Sequence, residues 1–159
     1  MKVYHEFPPV FDENSEILLL GSIPSVKSRE EGFYYMHPKN RFWKVLESVF
    51  QEEILDKKEF CLKHHIALWD TCASCEIRAS SDASIKKIVP NDLSMILKKA
   101  KIKQIFTTGK KAHEIYQKYL YPIYKKEDIC LSSTSPANAK KSLEDLIQEY
   151  KVLLNYIKK

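Results

Sequence analysis

Four clusters of polar side chains, each beside an apolar run, hold the residues of this chain that could do chemistry. The first is Gly21-Ser22-Ile23-Pro24-Ser25, directly after Ile17-Leu18-Leu19-Leu20. The second centres on Asn40, behind Phe33, Tyr34, Tyr35 and His37 and ahead of Arg41-Phe42-Trp43. The third is Asp70-Thr71, after Ile66-Ala67-Leu68-Trp69. The fourth, Ser132-Ser133-Thr134-Ser135-Pro136-Ala137-Asn138, carries five hydroxyl or amide side chains within seven residues. An Asn has no useful pKa, so Asn40 could only orient a water or donate to a leaving group. Asn ahead of an amphipathic run is also a preferred helix cap. An ionised Asp only accepts hydrogen bonds, so Asp70 could read a ligand edge that bears N–H; equally, it could cap a turn or pair with Arg78. A hydroxyl-rich loop leading into a helix suits phosphate groups held by backbone N–H donors, or is simply a loop. Tyr35 and Phe33 read equally well as core.

Other chemistries fail on spacing. Cys72-Ala73-Ser74-Cys75 lacks the preceding Pro and the His-x-Glu of a zinc deaminase, and Cys61 and Cys130 supply no second pair. Gly109-Lys110-Lys111 has Gln104 and Lys111 where a phosphate loop needs Gly and Ser or Thr. No Gly-x-Ser-x-Gly is present, so a hydrolase elbow is excluded. The expectation is a site with no metal and no cofactor.

Composition bounds the class. At 159 residues, the chain suits one domain, expected to span 1–159. A hydrophobic share of 44% and a charged share of 30% are those of a globular protein, not a disordered one. A net charge of +5 allows a nucleic-acid partner without requiring one. The longest apolar run is strand-length, so no membrane partner is expected. The N-terminal residues lack the apolar stretch of a signal peptide, and four cysteines without secretory context read as reduced thiols, so the expected location is cytoplasmic.

The elements that must position these clusters are visible as patterns. Ile17–Leu20, Ile66–Trp69, Ile102–Phe106 and Ile129–Leu131 are short apolar runs without clean alternation, as suits parallel strands covered on both faces. Helical spacing marks Phe42 to Phe50, a shorter stretch near Lys57 to His64, Leu93 to Ala100 with Asn91 or Asp92 as cap, Ala112 to Tyr119, and Leu143 to Ile157. Ser142 with Asp145 opens the last as a capping box. Alternating strands and helices predict a parallel sheet between helical layers. Ligands of such sheets bind beyond the carboxyl ends of the strands, where Gly21 to Ser25, Asp70-Thr71, Thr107-Thr108-Gly109 and Ser132 to Asn138 fall, with Asn40 in the loop after the first run. Phe7 to Val10 reads as an extended arm, and Ser74 to Pro90, with Ser80, Ser81, Asp82 and Ser84, as a long polar connection.

Taken together, these segments resemble the uracil-DNA glycosylase superfamily. The likeness rests on Gly21 to Ser25, on Gly32-Phe33-Tyr34-Tyr35-Met36-His37-Pro38-Lys39-Asn40-Arg41-Phe42-Trp43, on Ala67 to Asp70, and on Ser133 to Asn138. Within the superfamily, the chain most resembles the hypoxanthine-DNA (deoxyinosine) glycosylase branch. The resemblance implies a three-layer α/β/α sandwich around a four-stranded parallel sheet, acting on DNA with a flipped base. It puts Ile23 where many members carry a catalytic Asp or Asn, Tyr35 where an aromatic stacks on the base, and Asp70 where the uracil enzymes read it. Asn40 falls on the catalytic Asn of the hypoxanthine branch. Ser22, Ser25, Arg41 and the loop of Ser133, Thr134, Ser135, Pro136, Ala137 and Asn138 become the expected DNA contacts. Ser132 departs from the Pro expected there. The expected function is a monomeric DNA glycosylase that removes a deaminated base, hypoxanthine foremost, with DNA as its partner and no obligate protein partner. The alternatives are a uracil or mismatch-thymine glycosylase and a non-catalytic nucleic-acid-binding domain.

Overall fold

The computed structural model describes residues 1–78 and 82–158. Its centre is a four-stranded sheet of β2 (Ile17–Gly21), β3 (Ile66–Asp70), β6 (Gln104–Thr108) and β7 (Asp128–Leu131), in the order β3-β2-β6-β7. Every pairing in it is parallel. All four strands grow from the predicted apolar runs. Every residue of β2 and of the edge strand β3, which Val10 covers through its bridge to Leu68, is buried, whereas the other edge strand, β7, is half-exposed.

Helices flank this sheet in the expected three-layer arrangement. Helix α2 (Phe42–Phe50) buries Phe42, Trp43, Val45, Leu46 and Val49 along one stripe and packs against α7 (Leu143–Tyr150). The Ser142/Asp145 capping box is formed. The final helical pattern changes pitch: after Tyr150, the chain tightens into a 3-10 helix over Lys151–Tyr156. Helix α3 (Lys57–Lys63) lies on β3, and α4 (Ser94–Lys99) follows Asp92, whose carboxylate accepts from Ser94 N–H. Helix α5 (Lys110–Ile115) runs through a π turn, Tyr116–Leu120, into α6 (Tyr121–Tyr124).

Two readings of the sequence need correction. The supposed polar connection 74–90 contains parts of two strands, β4 (Cys72–Glu76) and β5 (Lys86–Pro90). With β1 (Lys2–Tyr4) they form an antiparallel sheet in the order β1-β4-β5. Ser80 and Ser81 lie outside the described residues. The segment between β2 and α2, in which residue spacing marks no helix, is not all loop. Helix α1 (Val26–Glu31) occupies it, opened by the Ser25 hydroxyl and closed by Gly32 at φ +70°, a left-handed position that glycine adopts at little cost. The predicted arm at Phe7 to Val10 follows β1, and Val10 bridges to Leu68.

Candidate active site

The carboxyl ends of β2, β3 and β6 floor a cavity of about 300 Å³, within the range of small-molecule sites. Gly21 and Asp70 are direct neighbours in the β2–β3 register. That adjacency explains the glycine: a Cβ on Gly21 would lie 2.5 Å from Asp70 Oδ1. Asp70 is 4% exposed. His5 holds it at one oxygen, with Nε2 2.8 Å from Oδ2, so its partner is His5 and not the Arg78 weighed from sequence. Its backbone carbonyl accepts from the buried Asn91 side chain at 2.9 Å. Oδ1 has no hydrogen-bond partner among the described residues, and Asp70 is the one carboxylate found in the cavity lining there.

A Gly21→Ala substitution therefore forces Asp70 or its strand to move. The expected cost is about 1–3 kcal/mol of stability, typical of overpacking. Base release should fall with it, since the carboxylate leaves its place. An alanine variant that melts with the parent and works at the parent rate would show that Asp70 is free to rotate.

The aromatic run builds one wall. Tyr35 sits at φ +55°, an uncommon conformation for a non-glycine residue. Its ring stacks on Phe42, centroids 3.8 Å apart and planes 13° off parallel, and its hydroxyl lies 2.9 Å from Thr108 Oγ1. The strained backbone is thus held by a stack, a hydrogen bond and the anchoring of Tyr34, whose hydroxyl donates to Pro8 O and whose carbonyl accepts from Trp43 Nε1. Phe42 covers one face of the Tyr35 ring and leaves the other for the cavity. Burial, followed by the charge of Asp70, pushes the Tyr35 phenol far above its ordinary value, so it stays a neutral hydroxyl.

Asn40 stands at the opposite side. Its Oδ1 accepts from Phe42 N–H at 2.9 Å and from the Thr134 hydroxyl at 2.8 Å. Both partners are donors, which fixes the amide: the carbonyl faces the protein, and Nδ2, with no acceptor among the described residues, is the end available to the cavity. The cap reading is corrected: Arg41 is the N-cap of α2, and Asn40, one residue earlier, uses its oxygen in an Asx turn onto Phe42 N–H, which leaves Nδ2 for chemistry.

Arg41 is placed differently from the expectation of a DNA contact. Its guanidinium donates to the carbonyls of Thr134, Ser135, Asn138 and Lys141, and its backbone N–H donates to Thr134 O. It clamps the loop rather than reaching outward. Asn138 likewise turns inward, onto Ser133 O, and Thr134 is buried under Asn40. Ser133, Ser135, Pro136 and Ala137 face the cavity. So do Ser22, Ile23 and Ser25, although the Ser25 hydroxyl is occupied capping α1.

Sequence reasoning gave no role to His37 and Thr108, which stand in the segments it singled out, and missed His5 and Ser28 altogether. Thr108 had a signal, standing beside Gly109 at a strand end. Ser28 had none: it is buried, with its hydroxyl accepting from Met36 N–H. Cys72 and Cys75 are buried, and burial pushes the Cys72 thiol up to about 12. No group of three or more metal-ligating side chains occurs among the described residues, and no helix there is long and apolar enough to cross a membrane.

A cavity with an anionic acceptor on its floor, an aromatic face for a wall and a hydroxyl-rich loop at its rim has the features of a site for a planar base attached to a sugar-phosphate strand. The comparisons agree. The family model of the uracil DNA glycosylase superfamily matches residues 8–157, and the chain belongs to that superfamily. It is 35% identical over 134 residues to the hypoxanthine DNA glycosylase of Methanosarcina barkeri, covering 80% of this chain and 84% of the relative. It is 39% identical over 114 residues to that of Methanosarcina acetivorans, covering 68% and 72%. The solution NMR structure of a candidate uracil DNA glycosylase from Methanosarcina acetivorans superposes with a TM-score of 0.76 at 32% identity, covering 93% of this chain and 96% of that one.

Proposed function

We propose that the protein excises a deaminated base, hypoxanthine first, from DNA by hydrolysing its N-glycosidic bond. The observation that carries this reading is the fixed amide of Asn40. With its oxygen taken by Phe42 and Thr134, it presents only N–H donors to the cavity. In the reaction, a water oxygen bonds to C1′, the C1′–N9 bond breaks, and the base leaves with the electron pair before taking a proton. Negative charge grows on the departing base, and a preorganised donor aimed at it stabilises that charge. Ile23 supplies no carboxylate where the resemblance implies one. Catalysis then rests on positioning and electrostatics more than on proton abstraction by residue 23.

The remaining parts fit a flipped purine. Tyr35, backed by Phe42, is the stacking platform. Asp70 Oδ1 accepts the N1–H of hypoxanthine and repels the bare N1 lone pair of adenine. Guanine also carries N1–H, so its 2-amino group must be excluded by shape. The rim loop at 133–137 takes the DNA backbone, and Arg41 acts by holding that loop. The names of the two Methanosarcina relatives support hypoxanthine over uracil. Unpaired cysteines suit a reducing, cytoplasmic setting.

The test is incubation with oligonucleotides bearing one deoxyinosine, deoxyuridine or deoxyxanthosine, followed by alkali and strand analysis. Breaks at deoxyinosine are expected to dominate. Breaks at deoxyuridine alone would make it a uracil enzyme, and none at all a binding domain.

Affinity should also fall steeply with salt, because each neutralised phosphate releases counterions. The expected slope of log affinity against log salt is about −0.9 per phosphate contact on duplex DNA. A titration that stays flat between roughly 50 and 200 mM salt would remove DNA as the ligand.

A further inference from the structure

His5 belongs to none of the segments that carry the family likeness, and it precedes residues 8–157, the stretch the family model covers. It reaches the site through β1. The pairing of Lys2–Tyr4 with β4, and the His5 N–H bond to Ala73 O at 2.8 Å, deliver its ring beneath the cavity. The side chain is 1% exposed. Around it lie Phe7 at 4.7 Å, Tyr34 at 5.8 Å and Trp69 edge-on at 6.3 Å between ring centroids. Its Nε2 meets Asp70 Oδ2 at 2.8 Å, and its Nδ1 is buried with no hydrogen-bond partner among the described residues.

The stranded Nδ1 is informative. An aromatic hydrocarbon ring would fill this apolar nest without leaving a polar atom unsatisfied. What histidine adds is one N–H on one oxygen of Asp70. An ionised Asp70 can only accept, so Nε2 carries the proton. With no acceptor near Nδ1, the neutral Nε2–H tautomer is the one the site tolerates best. A bare lone pair is stranded there rather than an N–H, and the negative charge of Asp70 stays uncancelled.

The geometry points to His5 as a positioning residue for base choice: it pins Oδ2 of Asp70, so that Oδ1 alone, beside Gly21, meets the flipped base. The N-terminal arm is then part of the base-reading apparatus. This inference rests on the proposed excision of a deaminated base and goes further, since it assigns the selection of an N–H-bearing edge to a pair 65 residues apart in sequence. Without His5, the carboxylate can turn, or take up water, and the acceptor loses its single direction.

The experiment uses the full-length protein and single-turnover base release from oligonucleotides bearing one deoxyinosine or one unmodified deoxyadenosine. His5→Phe fills the nest without the donor, and His5→Gln restores a donor. In His5→Phe, the deoxyinosine rate and the deoxyinosine-over-deoxyadenosine ratio are expected to fall by roughly 10- to 100-fold, the size of a lost hydrogen bond to a charge. His5→Gln should recover a large part of both. Combining His5→Phe with Asp70→Asn should give little further loss of ratio beyond Asp70→Asn alone. An unchanged ratio in a folded His5→Phe variant, with the parent active on deoxyinosine, overturns the role of His5 and leaves the excision reading standing. A parent inert on deoxyinosine takes down the hypoxanthine reading and this role together. Should His5→Phe not fold, the imidazole nitrogen spectrum of the parent decides. A single Nε2–H tautomer in the parent, kept in Asp70→Asn with a shifted Nε2 resonance, supports the pairing; two averaging tautomers refute it.

Discussion

Asn40→Ala is expected to lower base release by roughly 10²–10³, the loss typical of removing one preorganised donor from a transition state. DNA affinity should barely change, because phosphate contacts dominate it. The geometry supplies a cleaner companion. Alanine also removes the acceptor for Phe42 N–H and Thr134, so it should cost about 1–3 kcal/mol of stability, as leaving a buried donor unpaired does. Asn40→Asp keeps both of those hydrogen bonds and replaces the N–H donors with an acceptor oxygen that carries negative charge. It should hold the parent melting temperature and still lose base release to a similar extent. If Asn40→Asp instead works near the parent rate, an N–H donor at this position is not what base release needs.

Asp70→Asn should be nearly as damaging to deoxyinosine, by roughly 10- to 100-fold, and should change what the pocket prefers. His5 decides the direction. Its Nε2–H requires an acceptor at the Oδ2 position, so the amide oxygen of the new Asn settles there. The amide NH2 then occupies the place of Oδ1 and meets the base as a donor. Hypoxanthine N1–H is opposed by another N–H, while the adenine N1 lone pair is welcomed. The preference for hypoxanthine over adenine should therefore narrow or reverse. Single-turnover rates on both bases measure it, and equal rates in variant and parent would mean that Asp70 does not read the base.

The parts of the fold that burial alone dictates were readable in the chain. Strands such as Ile17–Gly21 and Ile66–Asp70 are apolar because both faces are covered, and Phe42–Phe50 carries its buried stripe in its spacing. The antiparallel sheet was not readable. Lys2–Tyr4 is three residues long, and Cys72–Glu76 and Lys86–Pro90 mix small, polar and charged residues, so what makes them strands is their pairing with distant segments. The same reason hid His5, which gains meaning only when β1 docks on β4. The site clusters were legible because strand ends converge in a parallel sheet. The direction of each side chain was not. Arg41 looked like a phosphate ligand from its charge, yet its donors are turned onto loop carbonyls. Asn40 offered two readings that only its hydrogen-bond partners could separate.

The bond from the Thr134 hydroxyl to Asn40 Oδ1 ties together two tasks that could have been kept apart. Arg41, next in the chain, anchors the same loop. On the proposed roles, the part that grips the strand and the part that acts on the scissile bond are mounted on each other. Thermodynamic linkage makes that coupling reciprocal: whatever a well-seated duplex does for the alignment of the amide, an aligned amide does for the grip on the duplex. A strand that pushes the loop aside also swings the amide off its target. Fidelity then needs no separate editing site, because a badly seated strand can be held without losing its base.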